Sequence, residues 1–177
     1  MHMRSFLRLA FIPALLVTHV VGAQKGPERG PLRVDGRVTD GENKLAGAEV
    51  IVYKGNDPVE KIIADKGGRF RVWLEMDASY GFEFCHKGFV SKRLAFDTHL
   101  PKAGKGQVFD PIPMGIEVSL LEKARFDGAP TDDLDFPFAF IRFNKKTLTF
   151  EPDVEYTMGM QRVNGALLLM AARSEKE

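Results

Sequence analysis

Cysteine is nearly missing from this chain: Cys85 is the single one among 177 residues, so no disulfide can close within it. Histidine is scarce too. Of the four, His2 and His19 lie near the N-terminus. Neither His86 nor His99 is followed by a second ligand at metal-site spacing, so neither a metal nor a cofactor is expected. No sign of charge predominates, with 25 Lys and Arg against 24 Asp and Glu. The basic residues are scattered along the chain, which makes nucleic acid and an anionic membrane surface poor partners. The sequence also lacks a Gly-x-Ser-x-Gly elbow, a His-Glu-x-x-His pair and a Gly-rich phosphate loop entering a helix. With none of these signatures, the expectation is a chain that is not an enzyme and has no catalytic residues.

Long apolar runs are missing except at the start. Arg4 and Arg8 precede the apolar run 9–17, and the small residues Gly22 and Ala23 precede Gln24. This is the order of a secretory signal peptide over residues 1–23. A spanning helix needs about 20 predominantly apolar residues, and Thr18 and His19 interrupt the stretch. The expected product is exported across the inner membrane to the periplasm or cell surface, without an integral span once the signal is removed. No Cys follows the run to accept a lipid. The remaining chain is of one-domain size. In an oxidising compartment Cys85 reads as an incidental strand residue, although His86 and Lys87 beside it would suit a reactive thiol.

What is present is short alternation. Leu32, Val34 and Val38 share one parity, with Gly36 between them, and Ala48, Val50 and Val52 form a second inward set. Phe70, Val72 and Leu74 follow, then Tyr80, Phe82 and Phe84, then less cleanly Val90, Lys92, Leu94 and Phe96. Such sets mark half-buried strands. Residues 40–44 and 65–68 are rich in Asp, Asn and Gly and should reverse the chain. Short strands at this spacing suggest a sandwich or barrel.

The motif residues Gly36, Val38, Thr39 and Asp40, then Leu45, Gly47, Ala48, Val50 and Val52, then Asp65, Gly68 and Phe70 occur in order. Lys87, Gly88, Phe89 and Val90 follow, and Phe96, Asp97 and Thr98 end the series. Over residues 32–100 the chain thereby resembles the carboxypeptidase regulatory-like family. The resemblance implies a seven-stranded, transthyretin-like Greek-key β-sandwich, sometimes grouped with carbohydrate-binding-like folds and often joined to a peptidase, receptor or adhesin. The version with Phe96, Asp97 and Thr98 is similar to envelope proteins of Bacteroidetes. The family module is non-catalytic.

Beyond Asp97 the pattern changes. Residues 98–115 carry Pro101, Pro111 and Pro113 with several glycines and read as a connection. Ile116, Val118 and Leu120 then alternate as a closing strand. In 126–135, Asp132, Asp133 and Asp135 have the hard oxygen donors that calcium takes, but without the Gly and distal Glu of a binding loop they read as a solvated turn. Residues 136–143 and 147–150 suggest a hairpin about Asn144. Asp153 can cap a helix whose stripe is Tyr156, Met160, Val163, Leu167 and Met170, with Gly159 and Gly165 weakening it. The expected layout is a signal peptide over 1–23, the sandwich over 32–122, and an extension over 123–177 made of a loop, a hairpin and an amphipathic helix.

Parity turns Tyr53 and Trp73 away from the sandwich interior. They are the candidate ligand or docking residues. An outward Trp needs a cover, and the C-terminal helix needs a surface, so the helix is expected to dock over Trp73. The function expected is a structural or protein-interaction module of the bacterial cell envelope. Its partner would be an envelope protein or the chain's own helix, and the alternative is a carbohydrate-binding module.

Overall fold

The computed structural model describes residues 31–101, 112–126 and 136–174; the signal segment and the loop with Asp132, Asp133 and Asp135 lie outside them. The described chain is mainly β. Strands β1 (Leu32–Thr39), β2 (Glu49–Lys54), β3 (Asp57–Ile63), β4 (Arg69–Leu74), β5 (Ser79–Cys85), β6 (Phe89–Val90), β7 (Lys92–Asp97), β8 (Met114–Ser119) and β9 (Leu121–Glu122) come first. A short 3-10 turn (Lys123–Phe126), strands β10 (Pro137–Asn144) and β11 (Thr149–Pro152), and helix α1 (Val154–Ser174) complete it.

The strands form a sandwich of unequal sheets. The smaller has the order β4-β1-β8 and the larger β11-β10-β7-β5-β2-β3, while β6 and β9 pair apart. Without β10 and β11 the two sheets contain the seven strands that the family resemblance implies. The alternating residues named from sequence are the core: Val34, Val38, Val50, Val52, Val72, Phe82, Phe84 and Phe96 are all buried. Burying each such side chain contributes roughly 1.5–3 kcal/mol.

Turns fall where the backbone demands them. Asp40 accepts from the N–H of Glu42 at 2.9 Å and of Asn43 at 2.6 Å, closing the first reversal in the manner of an Asx turn. Asp65 does the same for Gly67 and Arg69. Beside it Gly68 has φ +69, and a Cβ there would come within 2.4 Å of the Val38 carbonyl oxygen. The Gly68 carbonyl accepts from Val38 N–H at 2.8 Å and binds the turn to β1, while the Val38 carbonyl accepts from Leu45 N–H at 3.0 Å. Both the conformation and the close approach select glycine.

Strand β3 has no alternating core set to announce it, because nearly all its residues are exposed and it pairs on one side with β2 alone. Pro58 near its start suits such an edge. The hairpin adds to the opposite edge of the same sheet, β10 running parallel to β7. It shares the core: a file of rings runs from Phe70 to Phe84 (5.7 Å between centroids), Phe82, Phe96, Phe150 and Phe143. The core therefore continues past residue 122.

Helix α1 begins as its sequence indicates. Asp153 Oδ1 accepts from the N–H of Glu155 at 3.1 Å and of Tyr156 at 3.2 Å, and Oδ2 pairs with Arg142 at 2.7 Å. Tyr156 lies edge-on to Phe140, and its hydroxyl donates to the Pro137 carbonyl at 2.7 Å. Tyr156, Met160 and Val163 are half-buried; the side chains of Leu167 and Met170 lie outside the described residues. Phe140 has the parity opposite to buried Ala139 and Ile141, so the helix rests on the outer face of the larger sheet. Among the described residues no helix is long and apolar enough to cross a membrane.

Candidate binding surface

Tyr53 and Trp73 both point outward, but from different sheets, so the structure does not bring them together. Tyr53 is the cross-strand partner of Gly81, and its ring lies over that glycine: a Cβ on Gly81 would sit 3.7 Å from Tyr53 Cβ. Its hydroxyl donates to Glu83 Oε2 at 2.9 Å, and Arg93 approaches Glu83 Oε1 at 3.4 Å. The bond to the Glu83 carboxylate, with burial and that negative charge, raises the Tyr53 phenol above its ordinary 10.0. The phenol is thus held as a donor, and Tyr53 clasps β2 to β5 over a shallow cleft of about 310 Å³.

Trp73 is different. It lies on β4 directly opposite Arg33, with 56% of its surface exposed. The expectation that the C-terminal helix covers it is corrected by the structure. Tyr156 and Asp153 anchor that helix to β10 on the outer face of the other sheet, so the sandwich stands between helix and indole. Beside Trp73 lies a depression of about 300 Å³ between the edge strands β3 and β4, lined by Lys54, Val59, Glu60, Glu75 and Tyr80. The Lys54 ammonium is bonded to the Glu75 carboxylate, which raises the lysine pKa and lowers that of the glutamate. Val59 is 54% exposed. An indole, an apolar neighbour and a charged rim are the ingredients of a contact site.

The face carrying Trp73 also gathers residues that had looked scattered. Arg33, Asp35 and Arg37 project from β1, opposite in parity to buried Val34 and Val38, and Arg69, Arg71 and Trp73 project from β4. Asp35 holds two of these arginines, Arg71 Nε at 2.5 Å and Arg33 Nε at 2.9 Å. The Arg71 bond lowers the Asp35 pKa against the opposing effect of burial, with Arg33 adding to it. Sequence alternation at 33, 35 and 37 and at 69, 71 and 73 was the signal available for this cluster, and a chain-wide charge balance conceals it.

Two polar residues also point inward, Lys92 as its place in the alternating set indicates and Thr98 from the stretch that reads as a connection. Thr98 is fully buried; its hydroxyl donates toward the carbonyls of Glu75 and Ala78, each at 2.8 Å, and accepts from Ala78 N–H at 3.0 Å. Lys92 shares the parity of Leu94 and Phe96. Its ammonium donates to the Ser119 carbonyl at 2.5 Å and lies 5.8 Å from the Phe138 ring centroid, joining the two sheets. Burial lowers its pKa from 10.5. Cys85 is half-buried and its sulfur accepts from the Ser91 hydroxyl at 3.3 Å. Among the described residues no group of three or more His, Cys, Asp or Glu is placed to hold a metal ion.

No family model and no curated protein matches the chain, so the resemblance to the carboxypeptidase regulatory-like family extends no further than a β-sandwich. Solved structures of similar layout include 3-chlorocatechol 1,2-dioxygenase from Rhodococcus opacus 1CP, at 15% identity and TM-score 0.38, covering 53% of this chain and 61% of that one. Another is S.CueP, at 13% identity and TM-score 0.36, covering 51% and 64%. The pilus 2b backbone protein of group B streptococcus follows at 11% identity and TM-score 0.35, covering 53% and 41%. Each match spans less than two thirds of the other protein's chain, and likeness of this extent assigns no activity or partner.

The dioxygenases among these structures correct the expectation that the chain is not an enzyme. That expectation rested on missing sequence signatures and a family analogy.

Proposed function

We propose that this chain is an exported β-sandwich module that works by binding in the cell envelope, with the outer face of the smaller sheet around Trp73 as its contact surface. The observation that carries this reading is the uncovered indole. Trp73 is 56% exposed beside exposed Val59 and between two free sheet edges, and an exposed apolar and aromatic patch favours a binding role. The signal-like order of residues 1–23 supports export. A protein partner is the first reading.

The second reading is carbohydrate binding, favoured by an indole with polar neighbours on an open face. A photo-crosslinking residue placed at position 73 in living cells separates the two. A crosslinked envelope protein, lost when the probe is moved to position 145, supports the first. Glycan-array binding abolished by Trp73→Ala supports the second. The proposal fails if position 73 captures nothing and no glycan binds.

A further inference from the structure

We infer that the free edge of β4 takes an extended segment of a partner protein as an added antiparallel strand, paired to Arg71 and Trp73, with one apolar side chain seated between β3 and β4. This deepens the reading of the surface around Trp73 as a protein contact and rests on it. The backbone groups of β4 carry the argument. Its ladder to β1 is regular, from Leu32 opposite Leu74 to Arg37 opposite Arg69, and no strand pairs with its other side. Along such a strand the N–H and C=O of successive residues turn alternately to the two sides. The Gly68 carbonyl turns to β1, where it accepts from Val38 N–H. Phe70, Val72 and Leu74 therefore bond to β1 as well, while Arg69, Arg71, Trp73 and Glu75 turn to the free edge.

The chain satisfies both ends of that edge itself and leaves the middle open. At one end Arg69 N–H donates to Asp65 Oδ1 at 2.9 Å, and the Arg69 carbonyl accepts from Asp65 N–H at 2.9 Å. At the other, Glu75 N–H donates to the Tyr80 hydroxyl at 3.0 Å, and the Glu75 carbonyl accepts from the Thr98 hydroxyl at 2.8 Å. Between them the backbone N–H and C=O of Arg71 and of Trp73 have no partner among the described residues. Sheet edges are commonly guarded by proline, a bulge or an outstretched charge. The neighbouring edge β3 has Pro58 and a register shift between Val52 and Tyr53. β4 has neither, and Asp35 draws the Arg71 guanidinium back over β1 at 2.5 Å.

The side chains around the opening select the occupant. A segment with two residues opposite Trp73 and Arg71 would exchange both hydrogen bonds with each of them. The residue between those two would lie opposite Val72 and face the same side, inward. There it meets the depression of about 300 Å³ whose walls include Val52, Val59 and Leu74 and whose rim is the ion pair of Lys54 with Glu75. A Val, Leu or Ile side chain suits that space and would cover exposed Val59. The residue opposite Trp73 would lie beside the indole, which favours an apolar or aromatic one. A second copy of β4 does not fit: it would bring Phe70, Val72 or Leu74 opposite Val72, and each of these is buried in its own core.

The test begins with amide hydrogen exchange of the protein purified after export. The Arg71 and Trp73 amides should exchange at least about tenfold faster than those of Phe70 and Val72, which are bonded to β1. Heptapeptides are then selected on the protein from a random display library, synthesised, and titrated by tryptophan emission. The expected peptides carry an apolar residue flanked by two residues other than proline, and binding protects the Arg71 and Trp73 amides. Methylating the backbone nitrogen of either flanking residue should weaken binding about tenfold, a change that leaves the protein untouched. Arg71→Pro removes an edge-facing N–H without breaking the ladder to β1 and should weaken binding similarly, with circular dichroism and melting to verify the fold. The inference is overturned if both amides are already protected in the free protein, if no heptapeptide is selected, or if the selected ones are indifferent to N-methylation. Protection that rises with protein concentration alone would make the occupant a second copy and overturn it too. If the peptide tests fail while a probe at position 73 still crosslinks an envelope protein, the added strand is wrong and the contact surface stands. If that probe captures nothing either, both fall.

Discussion

The ring of Phe70 occupies the place where a side chain on Gly36 would go. The two are cross-strand partners on the inward face of β1 and β4, and a Cβ built on Gly36 would meet Phe70 Cζ at 2.0 Å. Phe70 can then reach Phe84 in the other sheet, 5.7 Å away. Gly36→Ala should destabilise the protein by about 1–3 kcal/mol through overpacking. Adding Phe70→Leu should recover part of that loss, giving a favourable coupling in a double-mutant cycle by urea unfolding. Strictly additive losses would show that the ring moves aside freely.

The buried hydroxyl of Thr98 closes the link between β4 and β5. It is bonded to both carbonyls and the N–H named above, at the bend between Glu75 and Ala78. Thr98→Val keeps the shape and leaves the Glu75 carbonyl and the Ala78 N–H without their partner, while the Ala78 carbonyl keeps its bond from Thr98 N–H, a loss of about 1–3 kcal/mol. Thr98→Ser should retain most of the stability. Thermal melting of the two variants side by side checks this, and equal losses would place the effect in the methyl group instead of the hydroxyl.

How much of this was legible follows from what each residue faces. β1, β4 and β5 could be read because one side of each strand is buried and the other is not. Even Lys92 could be assigned an inward parity. β3 could not, since an edge strand exposed along its length leaves no alternation in Val59, Glu60 and Lys61. The outward direction of Trp73 was legible and its cover was not. Where α1 goes depends on the parallel union of β10 with β7 and on Tyr156 meeting Pro137, contacts between distant parts of the chain. The arginine face was written in the spacing of β1 and β4, but it becomes a cluster only when the antiparallel register sets Arg37 beside Arg69.

The cap of α1 predicts a graded response at Asp153. Asp153→Ala removes the acceptor for Glu155 and Tyr156 N–H together with the partner of Arg142. It should cost about 1 kcal/mol and make the chain after residue 153 more open to protease. Asp153→Asn keeps the cap and loses the ion pair with half-exposed Arg142, so it should lie near wild type, since exposed pairs contribute about 0–1 kcal/mol. Limited proteolysis with mass detection reads both. Equal protection of the wild type and the Ala variant would show that Tyr156 alone anchors the helix.

Lys92 supplies a pH dependence whose sign can be worked out. Its pKa is lowered from 10.5 by burial, so the folded state disfavours the ammonium relative to the unfolded chain. Below the folded value both states are protonated, and the full penalty is present. As pH rises through the folded value toward 10.5, the unfolded chain binds more protons than the folded one, so the Lys92 contribution to stability improves. The neutral amine can still donate to the Ser119 carbonyl, so this gain is not cancelled by losing the bond between the sheets. Lys92→Met removes the titration and fills similar space. The difference in unfolding free energy, wild type minus Lys92→Met, should therefore increase in favour of wild type as the pH is raised from neutrality toward 10.5. Measuring both proteins at each pH cancels the contributions of groups they share. A flat difference would mean that the ammonium is solvated in the folded state, and a falling one would mean that an anion near Ser119 stabilises the charge.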